Sequence, residues 1–105
     1  MMSMINACSL GKVEFLKTSE LNFKAKEDNC DFRVYSTPPS IKYGEIGIVS
    51  IPLNYAQIHT SSIIGFKKES SKYVCAYGGD AIIGVLNGYG FYISGTIIKM
   101  KEDNL

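Results

Sequence analysis

The sequence has no tryptophan, one arginine (Arg33) and one histidine (His59). A lone histidine excludes the common zinc sites built from several imidazoles, and no Cys-x-x-Cys pair offers an alternative ligand set. A lone arginine leaves almost none of the planar, two-pronged donors that recognise phosphate or guanine. The sequence therefore predicts no metal, no cofactor and no nucleic-acid partner.

The charge balance gives the same indication. Eleven Lys and Arg stand against ten Asp and Glu, a formal net charge of +1, whereas non-specific nucleic-acid binding depends on dense basic surfaces. Hydrophobic residues make up 46% of the 105 residues and charged residues 20%, which is typical of a folded globular chain. This length predicts one domain, covering residues 1–105.

Three cysteines, Cys8, Cys30 and Cys75, are an odd number at spacings that fit no disulfide framework. We expect reduced, partly buried thiols, as in proteins of a reducing compartment. A Cys30–Cys75 bridge stays open at this point, because only the distance between two cysteines decides whether they pair.

Two segments bear on localisation. Residues 5–8 look faintly like a lipoprotein cleavage box, but the stretch before Cys8 is short and holds neither Lys nor Arg, unlike a signal peptide. The uncharged segment from Ala81 to Ile98 is long enough for a short membrane span. Its glycines and the Asn87-Gly88 turn signal indicate two buried strands joined by a tight turn instead. We therefore expect a cytoplasmic protein that does not enter a membrane.

The apolar pattern follows a period of two, and β-branched and aromatic residues are frequent, which favours strands. Turn residues recur about every eight to twelve positions, as in sandwiches and barrels. We expect an antiparallel all-β sandwich or flattened barrel of about seven to eight strands, with at most one short helix. Sheet one would come from residues 12–36 and sheet two from residues 46–100. The expected strands are 12–17, 21–25, 32–35, 46–51, 62–66, 73–77, 82–86 and 89–100, with a helical turn at 54–61, a hairpin turn at 78–79, and an edge strand or short helix at 1–10.

The last hairpin can be specified further. A two-residue turn at Asn87-Gly88 would pair Leu86 with Tyr89 and place Gly84 opposite Phe91. Aromatic rings, Phe91 on one side and Tyr73 on the other, would then lie over the bare backbone of Gly84. Both faces of this second sheet are largely apolar, so a further layer, barrel closure or a partner must cover the face that does not meet sheet one.

Acidic side chains offer the best candidate contact site. Glu27, Asp28 and Asp31 cluster around one predicted turn, where they would form a patch that attracts a basic partner. We expect Tyr43 and Glu45 to belong to the same partner-binding surface, because exposed tyrosine is enriched at interfaces.

No catalytic set of residues is evident: His59 lies in a polar loop, where a solvent-facing role is expected. The leading hypothesis is a non-enzymatic protein-binding module, a small inhibitor or immunity-type protein that neutralises a partner, such as a basic toxin domain, by capping it. The bias to Lys and Ile suggests a bacterial or phage source. One alternative is a small-ligand-binding β-barrel lined by Tyr73, Phe91 and Ile93. Another is a structural subunit of a virion or assembly that forms oligomers through its apolar sheet.

Overall fold

A computed structural model describes residues 12–101. The elements in chain order are β1 Glu14–Lys17, β2 Arg33–Tyr35, β3 Tyr43–Ser50, α1 Leu53–His59, α2 Ile63–Ala76, β4 Ala81–Leu86 and β5 Tyr92–Met100. The element expected over residues 1–10 and the cleavage-box resemblance at residues 5–8 lie outside the described residues.

The five strands form one sheet in the order β1-β3-β5-β4-β2. All neighbours are antiparallel except β2 and β4, which are parallel. The expected all-β sandwich or flattened barrel is therefore wrong, because residues 12–101 form a mixed α/β fold with two helices. The expected division into two sheets is wrong for the same reason: the two short strands of the first half join the edges of the sheet made by the second half.

Helix α2 replaces two predicted strands, 62–66 and 73–77. It begins after Ser62, whose hydroxyl oxygen accepts a hydrogen bond from the Gly65 N–H at 3.1 Å, as an N-cap does. Its buried stripe contains Phe66, Ser70 and Val74, spaced four residues apart along one side of the helix. Ser70 can be buried because its hydroxyl donates to the Phe66 carbonyl oxygen at 2.8 Å. The serine conceals the helical period, because it is counted as polar in a sequence pattern.

A pair of glycines provides the surface on which α2 packs. Gly84 of β4 and Gly95 of β5 are direct cross-strand partners. A Cβ atom at Gly84 would lie 2.9 Å from the Phe66 ring, and one at Gly95 would lie 2.8 Å from it. The ring stacks on Tyr92 at a centroid distance of 4.4 Å. An aromatic cover for Gly84 was expected, but it comes from the helix and from Tyr92 rather than from Phe91 and Tyr73.

The connection between β4 and β5 is longer than the predicted two-residue turn. Leu86 pairs with Tyr92, not with Tyr89. The Asn87 side-chain oxygen accepts hydrogen bonds from the N–H groups of Tyr89 and Phe91 at 2.9 and 3.0 Å, which closes the loop. The predicted register is wrong because this side chain, rather than a two-residue β-turn, determines the loop length.

The two faces of the sheet differ in what lies over them. Helix α2 crosses one face, where the buried core side chains gather, and α1 packs beside α2. On the other face a row of paired residues crosses all five strands: Leu16, Ile48, Thr96, Ile83 and Tyr35. Leu16 in this row is 67% exposed. Within residues 12–101, neither helix covers this face of the sheet.

Residues 18–32 connect the two edge strands without regular structure, so the strand expected at 21–25 is wrong. The segment is fixed where it passes the end of α2: the Lys26 N–H donates to the Cys75 carbonyl oxygen at 2.8 Å. A disulfide joins Cys30 to Cys75, whose Cα atoms are 5.7 Å apart. Reduced thiols at these two positions were therefore a wrong expectation, since sequence spacing could not show that the two residues meet.

Candidate functional site

A groove runs between β2 and α2. Two cavities of about 630 and 780 Å³ lie there, and they form one groove because they share four lining residues: Asp31, Phe32, Ile64 and Lys67. One wall comes from the chain around β2 and the other from the first three turns of α2. Ile64, on the helix wall, is 78% exposed.

Among residues 12–101, the groove lies along the edge of β2 that has no partner strand. Phe32, Arg33 and Val34 are consecutive, yet all three line it. Successive side chains of a strand point to opposite faces, so a cavity touched by all three lies along the strand's edge rather than on one face. Strand β2 is the end member of the sheet and has β4 as its neighbour on one side. Its other edge therefore faces the groove.

Cations lie on both walls of the groove. Arg33 is on the strand wall, and Lys67, Lys68 and Lys72 are on the helix wall. The Lys67 ammonium lies 3.3 Å from a carboxylate oxygen of Asp31, but this Asp31 side chain is 99% exposed, so the pair is weak. The same ammonium lies 5.2 Å from the centre of the Phe32 ring. The groove thus has an apolar base, cations on both walls, and the carboxylates of Asp28, Asp31 and Asp80 among its lining residues.

Asp80 closes one end of the groove and is held by surrounding donors. Its carboxylate accepts hydrogen bonds from the Lys26 ammonium and the Met100 N–H, both at 2.8 Å, and from Lys99 at 3.4 Å. Burial alone would raise the pKa of Asp80, but these hydrogen bonds and the two ammonium charges outweigh it and keep the pKa below its ordinary value. Asp80 therefore links the 18–32 segment to β4 and β5.

The predicted acidic residues are only partly brought together. Glu27, Asp28 and Asp31 are all exposed on the turn that precedes β2, where the Cys30 N–H donates to the Glu27 carbonyl oxygen at 3.1 Å. Asp28 and Asp31 line the groove together with the lysines of α2, so their surroundings carry mixed charge. The other two predicted contact residues are elsewhere.

Tyr43 and Glu45 lie on β3, which β5 and β4 separate from β2. The Glu45 carboxylate accepts a hydrogen bond from the Thr18 hydroxyl on the β1 side of the sheet. The five predicted contact residues therefore do not form one continuous patch.

A second polar cluster joins the helices. The Tyr55 hydroxyl of α1 donates to Glu69 of α2 at 2.7 Å, and the His59 ring stacks on Tyr55 at a centroid distance of 4.2 Å. The hydrogen bond to Glu69, followed by burial and the Glu69 charge, raises the pKa of Tyr55. The His59 Nδ1 atom is 4.0 Å from Glu69, too far for a hydrogen bond. The cluster thus connects α1 to α2, and His59 is exposed, as expected.

The described residues, 12–101, contain neither a candidate metal site nor a helix that could span a membrane. No group of three or more His, Cys, Asp or Glu side chains there could hold a metal ion. In the same residues, no helix has the length and apolar character needed to cross a membrane.

Sequence reasoning missed the helix wall of the groove, namely Ile63, Ile64, Lys67, Lys68 and Lys72. Lys68 and Lys72 have the four-residue spacing that puts side chains on one side of a helix, and Ser62 precedes them as a cap. These signals could have located the wall if α2 had been recognised. Comparisons with protein-family models, with curated proteins and with solved structures found no match to this chain.

Proposed function

We propose that this chain is a non-enzymatic protein-binding module, an inhibitor or immunity-type protein that covers part of its partner's surface. The groove between β2 and α2 is its contact site. The observation that carries the proposal is the exposure of Ile64 among cations at the mouth of an open groove. Exposed apolar side chains rimmed by charge are typical of protein contact surfaces.

The acidic turn belongs to this proposal as one end of the groove. Asp28 and Asp31 would meet basic groups of the partner, such as those of a toxin domain, while the helix wall would meet apolar and acidic groups. A joint role for Tyr43 and Glu45 stays a prediction. A partner touching them and the groove together would have to extend across β4 and β5.

Site-specific photocrosslinking in the source cells tests the proposal. A photoreactive amino acid would replace Ile64 or Lys68 in the groove and, as matched controls, the exposed residues Gln57 of α1 and Ser50 of β3. We expect one protein to be captured from both groove positions and from neither control. Capture of nothing, or of the same proteins from all four positions, would contradict the proposed site.

A second candidate is a subunit that forms oligomers through the sheet face opposite α2, where Leu16 lies exposed. The row from Leu16 to Tyr35 favours it, because its apolar members, on four of the five strands, are at least partly exposed. Light scattering would show a dimer or larger species that Leu16→Lys converts to a monomer. A monomer at high concentration of the unchanged chain would contradict it.

The ligand-binding barrel is not proposed, because the sheet does not close into a barrel. Its three expected lining residues instead pack against the core between the sheet and the helices: Tyr73, Phe91 and Ile93.

A further inference from the structure

We propose that the groove takes an extended segment of the partner chain, with alternating apolar and acidic side chains, whose main chain pairs with the free edge of β2. This inference rests on the proposed function and specifies the chemistry of the partner. Adding a strand to an exposed sheet edge supplies main-chain hydrogen bonds, while the side chains of the added strand provide specificity.

Among the described residues, 12–101, the two edges of the sheet differ in what stands beside them. At the β1 edge, the Phe15 ring lies 5.6 Å from the ring of Tyr73 in α2 and 4.5 Å from the ring of Tyr77, which directly follows α2. At the β2 edge, the start of α2 stands away from the strand and leaves a groove bounded by both. An incoming strand there would lie between β2 and α2.

The charges of the groove define the occupant. Among residues 12–101, the ion pairs do not include Arg33, Lys68 or Lys72. Lys68 and Lys72 lie on the helix wall, so acidic side chains on the face of a bound strand that meets α2 would pair with them. A strand directs alternate residues to opposite faces, so the apolar residues between the acids would lie on the other face, beside Tyr35 of the row that begins at Leu16.

The test uses the full chain, labelled for NMR, and three kinds of nine-residue peptide. The first alternates valine and glutamate, and the second alternates valine and lysine. The third is the glutamate peptide with methyl groups on every valine amide or on every glutamate amide, which blocks one edge of the strand at a time.

We expect the valine–glutamate peptide to shift the amide signals of residues 31–35 and 63–72. The lysine peptide should bind at least about tenfold more weakly, because it meets like charges. At least one of the two methylated peptides should also lose about tenfold, because it cannot donate main-chain hydrogen bonds to β2. Lys68→Glu with Lys72→Glu should weaken the glutamate peptide, whereas the exposed control pair Lys12→Glu with Lys42→Glu should leave it unchanged.

Three results would overturn the inference: shifts located elsewhere, equal binding of the lysine peptide, or no effect of either methylation. If any of these three overturning results is found and photocrosslinking from Ile64 and Lys68 still captures one partner, the strand-addition inference fails and the proposed function stands. If crosslinking from the groove fails as well, both fail.

Discussion

The two halves of the described chain are held together differently. Residues 43–100 contain both helices and the three long strands, with a core of fully buried side chains such as Phe66, Ile82 and Ile97. Residues 12–42 contribute only two short strands, one at each edge of the sheet. This first half is attached by the pairing of those two strands, by the buried Phe32 ring and by side-chain contacts that include the Cys30–Cys75 disulfide, the Lys26–Asp80 ion pair and the packing of Phe15.

The difference indicates a division of roles. Residues 43–100, here called the platform, form the rigid part of the fold. Residues 12–42, here called the strap, cross the platform along a path that depends on individual contacts. One wall of the groove belongs to the strap and the other to the platform. The shape of the site should therefore respond to these contacts, while the stability of the whole fold should respond to the platform.

The largest effect should come from removing the ring that fills the platform. Phe66→Ala should lower the free energy of unfolding by about 3–5 kcal/mol, because the side chain is fully buried over two glycines. Phe15→Ala is the matched change in the strap, where the ring is only partly buried against Gly47, and should cost about half as much. Urea unfolding measures both. Equal losses would contradict the division into platform and strap.

Loss of the disulfide should come next. Cys30→Ala should lower stability by about 2–4 kcal/mol, because the bridge closes a long loop in the unfolded chain. Hydrogen exchange should then rise in residues 18–35 and stay slow in β3 and β5. Treatment of the unchanged protein with a reductant should reproduce the pattern. A uniform rise along the chain would show that strap and platform unfold together.

The Asp80 ion pair should have a smaller effect that depends on pH. Asp80→Asn should cost about 1–2 kcal/mol at neutral pH through the loss of charge-assisted hydrogen bonds. The folded-state pKa of Asp80 is lowered, so its contribution is present above the ordinary carboxyl pKa and is lost as pH falls through the folded value. Urea midpoints of the two proteins should therefore converge in acid. A difference between the two urea midpoints that stays constant down to strongly acidic pH would show that the carboxylate charge is not the cause of the lost stability.

The smallest effect should come from the exposed pair at the groove. Lys67→Ala removes the contact with Asp31 and should change stability by no more than about 0.5 kcal/mol, because solvent screens both charges. The comparison with Asp80 is direct, since both sites pair a lysine with an aspartate. If Lys67→Ala destabilised the protein as much as Asp80→Asn, solvent exposure would not determine how much each ion pair contributes to stability.

Local patterns in the sequence located most of the strands. A predicted strand overlaps each of β1 to β5, although β3 begins at Tyr43 rather than at residue 46 and β5 at Tyr92 rather than at residue 89, and α1 lies where a helical turn was expected. The turn predicted at Asn87 coincides with the loop between β4 and β5, although this loop is longer than two residues.

What the sequence could not show depends on contacts between distant residues. Ser70 looks polar, yet a hydrogen bond to the preceding turn lets it lie in the core, so α2 was taken for strands. The pairing of Cys30 with Cys75 and the meeting of residues 31–34 with α2 both require the folded chain to bring separate segments together. The groove was therefore missed, although the acidic turn at its end was identified.

The order of strands in the sheet has a consequence for how the protein is made. Strand β5 lies in the middle, between β3 and β4, yet it is the last of the five strands to leave the ribosome. Strands β1 and β3 can meet during translation, but β2 must wait for β4, and neither pair is joined to the other until β5 emerges. The nascent chain thus cannot complete the sheet until β5 has emerged, and a product that stops before β5 would leave apolar strand segments open to aggregation or proteolysis.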